Sequence, residues 1–327
     1  MKILDFLKEK IKFNQKKIAS SRPLFEEYDD TQPRIQSEIL EGRREKKFVR
    51  VDADVFADMI DEIRNNPSCS YVTYLDELIK DEGVTPSYIS VLMKHIHNDE
   101  YHFVDNEILS SRIANALGVP TVYNAKFQSD DENFLLSVDF LKYGSKIINI
   151  DDWRNELSET IGLHRDNSKF VSEVLEMEEI IHLHNAMAKN NQWKVDKNFR
   201  SEYLKHYLTR NFVLGDLDGY SGNVCFVVDK DNNLSIGPQF DTEFTFSAVS
   251  KNVYDILFAM KYLPETLNEF NEKFKNIFSK PVLKGIFSGF DKKYASKMCN
   301  FLKKCYTQYE DICNEAKKML EWDYEKY

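Results

Sequence analysis

The chain has 327 residues, 42% hydrophobic and 30% charged, with a formal net charge of −10; this is enough apolar material for a large buried core and excludes a disordered chain. The acidic balance argues against broad nucleic-acid binding, which wants a basic surface. No apolar run is long enough to span a bilayer, and 11 glycines leave little for an extended glycine-rich phosphate cradle.

Residues 1–20 read as a basic amphipathic helix with Ile3, Leu4, Leu7 and Ile11 on one side. Asp5 and Glu9 weaken a membrane role, so docking on the body of the protein is expected. Residues 21–47 are polar and read as a connector, 48–51 as a strand and 55–64 as a helix. Residues 75–96 support two readings. In one, 75–94 form a helix-turn-helix with Gly83 at the turn, although Ser87, Ser90 and Lys94 are a poor set for reading base edges. In the other, 89–96 form a strand. Residues 104–117 read as a helix closed by Gly118, with Ile108, Ile113 and Leu117 on its buried side. Glu107 falls in its expected first turn, where an acid complements the helix dipole. Residues 121–127 and 134–138 read as a hairpin, and from 150 onward the chain is largely helical, over 170–187 and 202–214. His95, His97 and His102 lack a fourth ligand at regular spacing and read as loop histidines. His182 and His184 read as structural. The five cysteines (Cys69, Cys225, Cys299, Cys305 and Cys313) are odd in number without paired C-x-x-C spacing, which suggests reduced thiols in a cytosolic protein.

The chemistry concentrates in Gly215-Asp216-Leu217-Asp218-Gly219-Tyr220-Ser221-Gly222-Asn223. An apolar strand (224–228), a polar turn (229–233), a short return strand (234–237) and then Pro238-Gln239-Phe240-Asp241 follow. Phosphoryl transfer needs such a set: Asp218 to accept a proton from an attacking hydroxyl, and Asn223 and Asp241 as oxygen ligands for Mg²⁺ against nucleotide phosphates. The hairpin is expected to return Asp241 beside Asn223. Beyond it, 253–322 read as several helices broken at Pro264, Pro281 and Gly289.

Gly215, Asp216, Asp218 and Asn223, with Pro238, Phe240 and Asp241 after the strand, resemble the catalytic core of HipA-like serine/threonine kinases, whose pattern is roughly G-N-x-D-x-H-x-x-N, a strand, then P-x-[YF]-D. Tyr220 stands where the family usually has His, Asp216 where it usually has Asn, and Thr242 and an acidic residue follow Asp241 with no glycine. The resemblance implies an α+β, bilobal protein-kinase-like fold with a small β-containing N-lobe and a predominantly helical C-lobe. The expected division is 1–47 as N-terminal helix and connector, 48–141 as nucleotide-binding N-lobe, and 142–327 as C-lobe. It implies ATP and Mg²⁺ as cofactors, Asp218 as catalytic aspartate, and Asn223 and Asp241 as metal ligands. Gly83 to Pro86 become a reduced phosphate loop, with Ser87 the best autophosphorylation candidate. Lys94 becomes the phosphate-binding lysine, with Lys46 or Lys47 as alternatives, and Glu107 its partner. Asp139, Phe140 and Leu141 become the adenine-binding hinge. The implied partners are a protein substrate and an antitoxin or other regulator, in a bacterial cytoplasm; delivery into a host stays open. Three other readings are a nucleotide-binding pseudokinase, a phosphoinositide-kinase-like enzyme, and a transcriptional regulator using 75–94.

Overall fold

The computed structural model describes residues 25–27, 46–52, 88–96, 101–129, 132–138, 146–149, 184–185, 193–216, 225–242 and 244–325. Within them the fold is α+β. Five strands form the first sheet: β1 (Phe25–Glu27), β2 (Lys46–Asp52), β3 (Tyr88–Ile96), β4 (Asn124–Ser129) and β5 (Glu132–Val138). Their order is β1-β2-β3-β5-β4, antiparallel throughout. Strand β3 is central. Tyr88, Ile89 and Val91 favour extended backbone, and pairing on both sides commits its peptide groups to the ladder. That removes the helix-turn-helix reading, because its recognition helix would have to occupy this strand. Within the stretch read as a connector, Phe25–Glu27 and Lys46 are strand residues of this same sheet.

Helix α1 (Tyr101–Ala116) follows β3 and begins three residues before the expected start. It closes with Gly118 at φ +77, the left-handed conformation that glycine adopts without steric cost. Asn124 of β4 donates to Ser111 Oγ at 3.0 Å and accepts from Ser137 Oγ at 2.6 Å, tying the helix to both strands of the hairpin. Lys126 of β4 adds an ion pair with Asp105.

A second sheet contains β6 (Lys146–Asn149), β7 (Lys194–Val195), β8 (Cys225–Val228) and β9 (Asn233–Ile236), in the order β6-β8-β9-β7. β8 and β9 form the expected hairpin. Its turn is built by Asp229, whose carboxylate accepts from the Asp231 and Asn233 amides, with Asn232 left-handed at φ +62.

The rest is helical. Helix α2 (Phe199–Leu208) runs into a π-helical segment, Thr209–Leu214, and stops at Gly215. Helices α3 (Val253–Tyr262), α4 (Pro264–Ile277), α5 (Lys280–Ile286) and α6 (Lys292–Glu325) follow. Pro264 opens α4 and Pro281 sits in the first turn of α5, where a missing N–H costs nothing. Leu109, Ile113 and Leu117 from α1 and its C-terminal turn share one core with Leu208, Phe212, Phe270, Phe274 and Leu302. Helix α1 is held there by polar contacts as well. Arg112 donates to the carbonyls of Ile286 and Ser288, and Tyr294 donates to Asn106 Oδ1 at 2.9 Å. Cys299, Cys305 and Cys313 lie on α6, the last two buried. His95 is on β3 and His102 on α1 rather than in loops. His97, and the expected helices over 1–20 and 55–64, lie outside the described residues. Among the described residues no helix is long and apolar enough to cross a membrane.

Candidate active site

Lys94 comes from the central strand of the first sheet, where its neighbours across the ladder are Lys46 and Leu135. Its ammonium is buried, 3.0 Å from Glu107 Oε1 and 2.7 Å from Asp241 Oδ1. Two consecutive elements and a turn 147 residues from Lys94 thus meet at one nitrogen. Burial pulls the Lys94 pKa down, but the two carboxylates outweigh it through charge and hydrogen bonding, and the net shift is upward. Lys94 is therefore a permanent cation. Lys46 and Lys47 lie on the neighbouring strand β2.

Because α1 starts at Tyr101, Glu107 lies in its second turn, and the first turn holds no acid. The dipole-complementing role expected for Glu107 is thereby excluded. Its carboxylate is 2% exposed and faces Lys94. The same helix face makes two further contacts to the segment following β9: the Phe103 and Phe244 rings lie 5.2 Å apart, and the Ser110 and Thr245 hydroxyls are 2.9 Å apart.

Asp241 follows the β8–β9 hairpin. The backbone of Gln239 is anchored by its amide donating to the Pro120 carbonyl at 2.8 Å, while its own carbonyl accepts from the Val122 amide at 2.9 Å. Asp241 then takes a left-handed φ of +52, uncommon for a residue with a Cβ and costing about 1–2 kcal/mol. That conformation coexists with the Lys94 ion pair and with a side chain 28% exposed, so the carboxylate reaches both the buried lysine and solvent.

The loop expected to carry Asp218 begins at Gly215, at φ +58, with no room for a side chain: a Cβ there would lie 2.9 Å from the Ala248 backbone. Asp216 comes next. Its carboxylate is fully buried and accepts from Arg210 Nε at 2.8 Å. A second Arg210 nitrogen donates to the Phe240 carbonyl at 3.2 Å, immediately before Asp241. Sequence reasoning passed over Arg210; the available signal was one basic residue inside the apolar helical run of Leu208, Phe212, Val213 and Leu214. Ser110 and Thr245 carried no such signal.

Of the expected site residues the structure brings together Lys94, Glu107 and Asp241. Asp218, Asn223, Asp139, Phe140, Leu141 and Ser87 lie outside the described residues. Asp241 offers the oxygen donor class that holds hard divalent cations. Among the described residues no three His, Cys, Asp or Glu side chains form a metal-holding group.

The sequence matches no protein-family model and no curated protein. Among solved structures the chain is similar to the Helicobacter pylori proinflammatory kinase CtkA, at 11% identity and a TM-score of 0.47, over 71% of this chain and 88% of that one. It is also similar to a chain from the Shewanella oneidensis MR-1 toxin–antitoxin complex of HipA, HipB and operator DNA, at 13% identity and a TM-score of 0.43, over 69% of this chain and 59% of that one.

Proposed function

We propose that this chain is an ATP- and Mg²⁺-dependent serine/threonine kinase of the HipA-like type, with the first sheet in its N-lobe and the C-terminal helices in its C-lobe. The observation that carries the reading is the buried Lys94 held between Glu107 and Asp241. Burying a lysine with two carboxylates is costly, and replacing such groups by apolar ones often leaves stability unchanged or improved. Their presence is accounted for by a ligand that needs a fixed ammonium beside a fixed carboxylate. One lysine against two carboxylates leaves a net charge of minus one. A polyphosphate arriving alone meets repulsion there, whereas one accompanied by a divalent cation brings the missing positive charge.

In this reading Lys94 binds phosphate oxygens, and Glu107 fixes the lysine's direction. Asp241 and Asn223 hold Mg²⁺, which on binding neutralises charge on the phosphates. Asp218 accepts the proton of the acceptor hydroxyl as the hydroxyl oxygen bonds to the γ-phosphorus and the bond from that phosphorus to the bridging oxygen breaks, releasing ADP. The reading is tested with γ-³²P-ATP and Mg²⁺, comparing wild type with Asp218→Ala and Asp241→Ala. Transfer by wild type and its loss in both variants is the expected result. Undiminished transfer in Asp241→Ala would refute the mechanism, and tight ATP binding by wild type without any transfer would establish a nucleotide-binding pseudokinase instead.

A further inference from the structure

Arg210 has a geometry that its place in a helix does not explain. Its main-chain carbonyl accepts from the amides of Gly215 and of Asp216, the latter at 3.1 Å, so the π-helical segment winds the start of the next loop around it. Its guanidinium then turns to the carboxylate of Asp216 at 2.8 Å and to the carbonyl of Phe240 at 3.2 Å. Asp216 stands two residues before Asp218, and Phe240 one before Asp241. Arg210 is 3% exposed and the Asp216 carboxylate is fully buried. Single-turn π-helical insertions are frequent at functional sites, and this one sets the guanidinium between two loops that the sequence keeps apart.

We infer that Arg210, with Asp216, is a positioning residue that ties Gly215-Asp216, from which the chain leads on to Asp218, to the turn bearing Asp241. A planar guanidinium suits this work because its donors point in fixed directions, one to each loop. A lysine in its place is a single point charge on a flexible stem. Asp216 supplies the countercharge that lets the cation be buried. Asn, the family's usual residue at that position, keeps a hydrogen-bond acceptor but not the charge. The Phe240 contact holds the carbonyl immediately before the left-handed Asp241, so the carboxylate is located by a side-chain ion pair and by the restrained carbonyl preceding it.

The catalytic part of this inference rests on the kinase reading; the mechanical link between the two loops does not. The experiment therefore has two arms on the full chain: wild type, Arg210→Met/Asp216→Leu, which removes both charges together, and Arg210→Lys. In the first arm, amide hydrogen exchange is followed without nucleotide. Faster exchange in both 215–224 and 237–242 of the double variant, with α4 and α6 unchanged, is expected. Exchange unchanged in either segment overturns the link. In the second arm, phosphate transfer is measured against Mg²⁺ concentration. The double variant is expected to lose about 100-fold in kcat, the scale of an approximately 1 Å misplacement. Its half-saturating Mg²⁺ concentration is expected to rise about tenfold, the scale for losing an outer support of a metal ligand. Arg210→Lys should recover part of both. A double variant that only unfolds at lower temperature, with kcat and Mg²⁺ dependence unchanged in the folded chain, overturns the positioning role. Wild type that transfers no phosphate fails the kinase reading, and the exchange arm then decides the link by itself.

Discussion

Replacing Lys94 by Met removes the cation from a site where Glu107 is 2% exposed and Asp241 is 28% exposed. Asp241 can turn to solvent, but Glu107 cannot, so the variant buries an uncompensated carboxylate. Breaking a buried pair in this way costs about 3–5 kcal/mol, a large share of a typical folding free energy of roughly 5–15 kcal/mol. The penalty has a definite pH dependence. In the variant the Glu107 pKa rises above its unfolded value of about 4.3, so the folded state binds the extra proton and stability falls as pH increases from there toward the raised value. Urea unfolding should accordingly show a smaller deficit at pH 5 than at pH 8. Wild type shows the same sign but only at the alkaline end: the raised Lys94 pKa contributes stability that is complete below the ordinary lysine value of 10.5 and is lost as pH climbs through the folded value above it. Lys94→Met/Glu107→Leu removes the stranded charge and should recover most of the loss. A Lys94→Met chain as stable as wild type at pH 8, or a double variant with no recovery, would refute the account of the buried cluster.

Burial, followed by the Arg210 charge, pushes the His206 pKa down to about 3, so the folded chain keeps the ring neutral while the unfolded chain protonates near 6.5. Its contribution is present above pH 6.5 and lost on acidification, by up to about 1.4 kcal/mol per pH unit; His206→Gln should flatten that slope in unfolding titrations, and an unchanged slope would contradict the assignment. Gly237→Ala places a Cβ 2.3 Å from Cys225 Sγ and should cost about 1–3 kcal/mol. Cys225→Ala in the same chain should return part of it, and equal stability of Gly237→Ala and wild type in urea would exclude the clash. Burial pushes the Cys225 and Cys305 thiols up to about 12, so both should resist iodoacetamide at pH 8 while half-buried Cys299 reacts first, as read by mass spectrometry.

Local patterns were legible where apolar spacing and turn chemistry act on neighbouring residues. The β8–β9 hairpin around Asp229, the helix ends at Gly118 and Gly215, and the C-terminal breaks at Pro264 and Pro281 could all be placed from the chain alone. Start points were less legible. Helix α1 begins at Tyr101, three residues before the expected start, and its Val104 and Ile108 pack with Ile96 and Leu135 of the sheet. Two roles were open to Glu107, dipole partner and partner of Lys94, and the earlier helix start with the 3.0 Å contact selects the second. Residues 75–96 carried two competing patterns, and pairing of β3 with both β2 and β5 chose between them.

Residue types and their order along the chain determined which chemistry was worth seeking: a Gly-Asp-x-Asp loop, an amide five residues on, a hairpin, and an acid after it. Only the tertiary structure decided that Lys94, Glu107 and Asp241 share one buried cluster and that Arg210 bridges two loops. The reason is physical. Periodicity reports which face of a segment is buried, but an ion pair spanning 147 residues is set by how sheet and helices pack, and a short-range pattern holds no record of it.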